Sequence, residues 1–254
     1  MSHPDNPIAI QLYTVRGPAA QDFAGTLRRL ADGGARAVEF AGYGGLEIPA
    51  LRDLLQELGL RVCGSHIRVE QWEEHLKQSL ADLKTLGGEY AVVPWVPEER
   101  RGSLEAARTL AASLDVWGTA ARDAGLGFAY HHHAFEFNPL PDGNGATLFD
   151  ILVQESDPAL VGFEVDVYWA ARGGVDPARL LRQLRGRAPL MHLKDLGPAP
   201  DHVDVPAGAG ELDWTEIRAA ARDAGVRWEI VEQDTPNPDD PVADALLAMR
   251  NMTA

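Results

Sequence analysis

The stretch Tyr130-His131-His132-His133-Ala134-Phe135-Glu136-Phe137 follows a short apolar run, Gly125-Leu126-Gly127-Phe128-Ala129. An apolar run of this length, punctuated by glycine, reads as a buried strand that opens into a polar loop. Just upstream, Leu104, Ala107, Leu110, Ala111 and Leu114 recur at the helical period, and Gly125 stands where a helix stop is expected. The local order is therefore helix, glycine, strand, polar mouth. Three imidazoles and a carboxylate at such a mouth suit metal binding or proton transfer near neutral pH. Surface histidine clusters are common, so the stretch acquires meaning only if other segments answer it.

Working outward, the same grammar repeats. Strand candidates are Ile8 to Tyr13, Ala37 to Phe40, Arg61 to Ile67, Tyr90 to Trp95, Gly127 to His132, Val161 to Asp166, Leu190 to Leu193 and Trp228 to Glu232. Helical candidates alternate with them: Asp22 to Asp32, Pro49 to Leu58, Val69 to Leu86, Ser103 to Ala124, Thr147 to Gln154, Asp176 to Leu184, Trp214 to Ala224 and Pro241 to Met252. Alternation of this kind implies a parallel sheet, because parallel neighbours need a crossover and the crossover is usually a helix. Eight such units in a chain of 254 residues predict an α/β protein closed into a single (β/α)8 barrel, one domain over residues 1–254. An open doubly wound sheet is the competitor. Its phosphate-binding fingerprint is missing, since Gly42-Tyr43-Gly44-Gly45 lacks the required spacing and Asp32-Gly33-Gly34 precedes a strand.

Composition narrows the function. Hydrophobic residues make up 45% and charged residues 24%, the balance of a soluble globular protein. The formal charge of −15 repels phosphate backbones, so no nucleic-acid partner is expected. No run approaches a membrane span, and the first seven residues lack a basic segment followed by an apolar one, so the expectation is a cytoplasmic protein without a membrane partner. Cys63 is the only cysteine, which excludes a disulfide framework and a thiolate zinc site, and its apolar context marks a core thiol.

In such a barrel the chemistry collects at the carboxyl ends of the strands. Tyr13, Glu39, His66 and Trp95 close the first four. From the later strands come His131, His133 and Glu136, then Glu164 and Asp166, then His192 and Lys194, and lastly Glu232 and Asp234. Charged groups in an apolar barrel are costly unless paired or coordinated. Glu136, Asp166, His192 and Glu232 come from strands five to eight, and one nitrogen with three carboxylates suits a single divalent ion such as Mn²⁺, Co²⁺, Mg²⁺ or Zn²⁺. Lys194 lies two residues past His192, so a strand would point both to one side.

The segments Ile10 to Arg16, Ala37 to Tyr43, Tyr130 to Phe137, Met191 to Asp195 and Val231 to Asp234 together resemble the sugar phosphate isomerase/epimerase family, the xylose-isomerase-like TIM barrels. The likeness runs over nearly the whole chain. It implies a divalent metal on the residues already named, Glu136, Asp166, His192 and Glu232. Three positions depart from the family pattern: His132 replaces a common asparagine, Ala134 a common aspartate and Ala209 a frequent glutamate. The resemblance implies a small-molecule sugar or keto-sugar substrate and leaves a homo-oligomer open.

The expected activity is that of a metal-dependent sugar isomerase or epimerase, working by proton abstraction next to a carbonyl through an enediolate. Glu136, Glu232 and Lys194 are the catalytic candidates. His66, His131 and His133 would bind substrate hydroxyls, and Trp95 and Trp169 would stack on a sugar ring. The alternatives are a metal-dependent lyase or dehydratase on keto-inositols or 3-oxo-glycosides, and a sugar-binding protein without turnover. The DNA-repair endonuclease branch of the superfamily requires a basic DNA-binding face, which this acidic chain does not offer.

Overall fold

The computed structural model describes residues 7–253. Eight parallel strands close into a barrel in which each pairs with its neighbours in sequence and the eighth returns to the first. We number them β1 (Ile8–Gln11), β2 (Ala37–Phe40), β3 (Arg61–His66), β4 (Tyr90–Val93), β5 (Gly127–His131), β6 (Gly162–Asp166), β7 (Leu190–Leu193) and β8 (Trp228–Val231). The expected (β/α)8 TIM-barrel architecture is therefore the observed one. Among the described residues, no helix is long and apolar enough to cross a membrane.

Local signals explain the boundaries. The long helix Leu104–Asp123 begins at Ser103, whose side chain accepts from Ala106 N, and it buries Ala107, Leu110, Ala111, Leu114, Trp117 and Ala121. It stops before Gly125, which has a φ of +74° that other residues seldom adopt. Two strands stop two residues before the ends their sequence suggests. Pro94 has no N–H to continue the ladder of β4, and after Gln11 the chain turns, with Thr14 N donating to Gln11 O at 3.1 Å. The helix expected over Val69 to Leu86 is divided at His75, whose φ of −132° is not helical, and the first piece turns Trp72 into the core against Trp117 and Phe128. Short helices at Arg16–Gln21 and Val167–Arg172 lack a legible apolar stripe and were not anticipated.

The alternation of each strand gives the barrel interior distinct layers. Near its base, Ala9, Cys63, Val92, Ala129, Leu190 and Ile230 form an apolar plug. Cys63 is a buried core thiol, as its context suggested. Two residues further along, the interior becomes polar: Gln11, Glu39, His131, Glu164 and His192 are all buried. Gly64 makes room for this layer, because a Cβ there would lie 2.9 Å from Glu39 Oε1 and 3.0 Å from Tyr90 O.

The segment after β7 forms a small antiparallel hairpin, Asp195–Leu196 with Asp204–Val205. Asp195, fully buried, ties its base together: the carboxylate accepts from Leu196 N, Gly208 N, Gly210 N and Leu212 N at 2.8–3.2 Å and from Trp214 Nε1 at 2.7 Å. Removing that acceptor leaves several donors unsatisfied, each costing about 1–3 kcal/mol if it stays buried. Asp195→Ala should lower the unfolding free energy in urea by at least about 2 kcal/mol, and an unchanged midpoint would show that the hairpin does not depend on this carboxylate.

Candidate metal centre

The polar interior has a lower and an upper part. The lower one is organised by Glu164 on β6, whose Oε2 lies 2.8 Å from His66 Nε2, 3.0 Å from His131 Nδ1 and 3.1 Å from His192 Nε2. Glu39 Oε2 lies 2.9 Å from the same His192 nitrogen and accepts from Gln11 Nε2 at 2.8 Å. Burial and the adjacent Glu164 push the Glu39 carboxyl up to about 7. Glu164 goes the other way: burial opposes its charge, but His192, His66 and the hydrogen bonds from His131 and His192 hold it well below the ordinary range. An ionised Glu164 can only accept, so His131 presents its proton at Nδ1 and its Nε2 lone pair is free of any protein hydrogen bond.

The upper part follows two residues later on each strand. His192 Nδ1 is 2.8 Å from Glu232 Oε2 and 3.9 Å from Asp166 Oδ2. Lys194 is 1% exposed, and its Nζ contacts Asp166 Oδ2 at 3.1 Å, Glu232 Oε2 at 2.8 Å and Asp234 Oδ2 at 2.8 Å. Burial opposes the ammonium, yet these three carboxylates raise Lys194 well above the ordinary lysine range, so it is charged. Asp166 Oδ1 accepts from Trp169 N at 2.9 Å, whereas Oδ2 has the ionic contact with Lys194 but no aligned hydrogen bond.

Among the described residues, two sets of side chains bring potential ligand atoms within 4.8 Å of one another: His66, His131, Glu164 and His192, and above them His131, Asp166, His192 and Glu232. The second contains three of the four residues read from the strand ends. Glu136 is in neither. It lies beyond β5 on the single turn Phe135–Phe137, with Oε1 accepting from Tyr130 Oη at 3.0 Å and Oε2 from His133 N at 2.7 Å. Tyr130 packs in the core between strands and helices, so the buried Glu136 is directed away from the barrel axis and clasps its own loop. Its burial pushes the carboxyl up to about 7. The position on β5 that points inward is His131.

The upper set fits a divalent ion. Two imidazoles and two carboxylates converge, Asp166 Oδ2 lacks a hydrogen bond, and Glu164 binds the far nitrogens of both histidines, the arrangement that fixes tautomer and ring orientation in metal centres. The charge balance agrees. Glu39, Glu164, Asp166, Glu232 and Asp234 face the Lys194 ammonium and the His192 imidazole, whose charge burial opposes but which these acids raise well above the ordinary histidine range. The remaining excess of acids is tolerated in a buried site only with bound protons or a further cation.

Above this floor opens a cleft of about 350 Å³ lined by Tyr13, His66, Trp95, His131, His133 and Glu232 among others. Trp95 is 46% exposed at its rim. The Trp169 ring lies 5.5 Å from that of His133 and 5.6 Å from Lys194 Nζ, and both Trp169 Nε1 and His133 Nδ1 are buried without a hydrogen bond. Burial and Lys194 push His133 down to about 3, so it is neutral. The structure thus brings His66, His131, His133, Trp95, Trp169 and Lys194 to the same end of the barrel.

Several contributors escaped the sequence reading. In the sequence Glu39 and Glu164 are strand-end acids with no role of their own, although the two-residue spacing of Glu164 from Asp166 puts both on the inner face. His132, at the departure from the family's asparagine, is an outward-facing support: its ring packs between Phe137 and Phe149, and its Nε2 accepts from Asp166 N at 3.3 Å.

Residues 27–252 match the model of the family described as xylose isomerase-like TIM barrel. An inosose dehydratase from Geobacillus kaustophilus is 29% identical over 192 residues, covering 67% of this chain and 61% of the relative. The chain spans about half to three fifths of the length of the curated relatives it matches. A sugar phosphate isomerase/epimerase structure from Parabacteroides distasonis superposes with a TM-score of 0.83 at 22% identity, covering 100% of this chain and 95% of that one. The IOLI protein with a bound zinc atom superposes with a TM-score of 0.70 at 15% identity, covering 97% and 95%.

The geometry separates the glutamates experimentally. With purified protein dialysed against Zn²⁺ and assayed by elemental analysis, Asp166→Asn should lose bound metal while Glu136→Gln retains it. Glu164→Gln should keep the stoichiometry but bind about 10–100-fold more weakly, as expected when a partner that orients ligands is lost. Metal loss in Glu136→Gln alone would restore the ligand set expected from the sequence.

Proposed function

We propose that this chain, which belongs to the xylose isomerase-like TIM barrel family, is a metal-dependent enzyme that removes the proton beside the carbonyl of a small keto-sugar or related polyol. Isomerisation or epimerisation would be the outcome. The observation that carries this reading is the position of Glu232, which belongs to the upper ligand set and also lines the cleft. Burial opposes its charge, but Lys194 and His192 hold the carboxyl well below the ordinary range, so it is ionised at neutral pH. A carboxylate so stabilised is a weak base, and the substrate must be acidified. A divalent ion held by His131, Asp166, His192 and Glu232 supplies this when bound, by polarising the carbonyl.

The remaining groups have roles that follow from their state. Lys194, always charged, stabilises negative charge that develops on a substrate oxygen. His133, neutral and unpartnered at Nδ1, offers a hydrogen bond to a hydroxyl, as do His66 and His131 at the cleft. Trp95 at the rim and Trp169 beside Lys194 present apolar faces suited to a sugar ring.

A second reading, a lyase or dehydratase, is favoured by the location of Glu136. With that carboxylate outside the group, the second glutamate that a two-base epimerisation would use is missing, and Glu232 shares the set with two imidazoles and Asp166 beside the Lys194 ammonium. One ionised base beside a fixed cation suits removal of a proton followed by loss of a β-hydroxyl, with Glu232 taking the proton and passing it to the leaving oxygen while Lys194 stabilises the negative charge that develops there. The inosose dehydratases among the relatives are consistent with this outcome.

Incubation in deuterated water with a panel of keto-sugars and keto-inositols tests the shared step. The intact enzyme should introduce deuterium beside the carbonyl, and Glu232→Gln should lower the rate by at least about 10²-fold. An epimer or isomer as product supports the first reading, and a dehydrated product the second. Turnover of a panel substrate without exchange would sink both.

A further inference from the structure

Lys194 is a cation buried within the same group of oxygens that the proposed metal would need. Its Nζ lies 3.1 Å from Asp166 Oδ2 and 2.8 Å from Glu232 Oε2, one oxygen from each of the two carboxylates in the upper set, and 2.8 Å from Asp234 Oδ2, which belongs to neither set. The side chain is 1% exposed, held at one end by β7 and roofed by the Trp169 ring.

We infer that Lys194 is an internal counter-cation that competes with the divalent ion for Asp166 and Glu232, so that it sets metal affinity low, with Asp234 as the partner it keeps when it yields the other two. The inference rests on the reading of Asp166 and Glu232 as ligands. It goes beyond that reading in sign: a residue next to a metal centre is ordinarily expected to support binding, whereas this one opposes it. Two charges of the same sign drawing on the same buried oxygens repel, and each weakens the hold of the other. Asp234 explains why the ammonium remains buried all the same. At 30% exposure it lies at the lip, and its backbone N–H donates to Asp204 Oδ2 at 2.7 Å, which fixes it in reach of Lys194.

The test is Zn²⁺ binding to the full chain by isothermal titration calorimetry, without substrate. Lys194→Met keeps the length of the side chain and removes the charge, and it should tighten Zn²⁺ by at least about tenfold. The metal-free variant should also melt lower than the wild type and gain more from added Zn²⁺, since its carboxylates have lost their only ammonium. Unchanged or weaker Zn²⁺ binding in Lys194→Met, with Asp166→Asn and Glu232→Gln still impaired, would overturn the competition while leaving the metal centre intact. Zn²⁺ binding that is indifferent to Asp166→Asn and Glu232→Gln would instead remove the metal reading on which it rests. A measurement on the wild type needs no variant to fold. The chain has three lysines, Lys77, Lys84 and Lys194, so in protein labelled with ¹³C at the lysine ε-carbon the Lys194 resonance should move in proportion to added Zn²⁺ while the other two stay. A Lys194 resonance that stays in place at saturation would also overturn the proposal.

Discussion

One carboxylate oxygen carries the geometry of this barrel's functional end. Glu164 Oε2 lies within 3.1 Å of nitrogens from His66, His131 and His192, three residues on three different strands. A fully buried carboxylate without donors would be prohibitively costly, and imidazoles without a fixed acceptor would sample both tautomers and several rotamers. Each requirement satisfies the other. The result is that His131 keeps its proton on Nδ1 and turns a lone pair toward Asp166 and Glu232. His192, whose charge burial opposes but which Glu164 and Glu232 raise well above the ordinary histidine range, donates from Nδ1 to Glu232 and gives up that proton if a cation takes its place. The proposed metal binding and proton transfer in the upper part would therefore be conditional on contacts made in the lower part.

The electrostatics of the two parts differ for a physical reason. Below, acids and imidazoles are matched closely enough for Glu164 to remain ionised while Glu39, pressed by burial and by Glu164 itself, is raised to about 7. Above, three carboxylates share one ammonium, and Asp166 is raised to about 6 by burial despite Lys194 and His192. Residual negative charge and an oxygen without a hydrogen bond are what a bound cation would satisfy. The same excess orders the lysine, so structural and functional demands fall on the same atoms.

Two aspartates tie the loops around the cleft to one another. Asp195 ties the base of the hairpin after β7, and Asp204 reaches from that hairpin to the backbone N–H groups of Asp234 and Thr235. The loop after β8 is thereby held at the position where Asp234 meets Lys194. Around the rim, Tyr13 and Trp95 are 43% and 46% exposed, so a change there costs less buried contact than one in the floor.

The repeated order of apolar run, glycine and amphipathic stretch determined the barrel, because eight βα units leave parallel closure as the arrangement that buries every strand and leaves no edge. It also determined that Asp166, His192, Lys194 and Glu232 would gather at one end, since strand ends and period two are local properties. The sequence by itself did not decide which residue after β5 would face the axis. Glu136 matches the family pattern in type and neighbourhood, yet the strand ends at His131, the chain enters a tight turn, and Tyr130 Oη with His133 N takes both oxygens of Glu136. Likewise, nothing local distinguishes Glu164 from Glu39 as the acid that stays ionised. Those outcomes belong to the tertiary structure, because the path of the chain beyond a strand end decides which way Glu136 turns, and the charge of a buried acid is fixed by partners that lie tens of residues away in sequence and a few ångströms away in space.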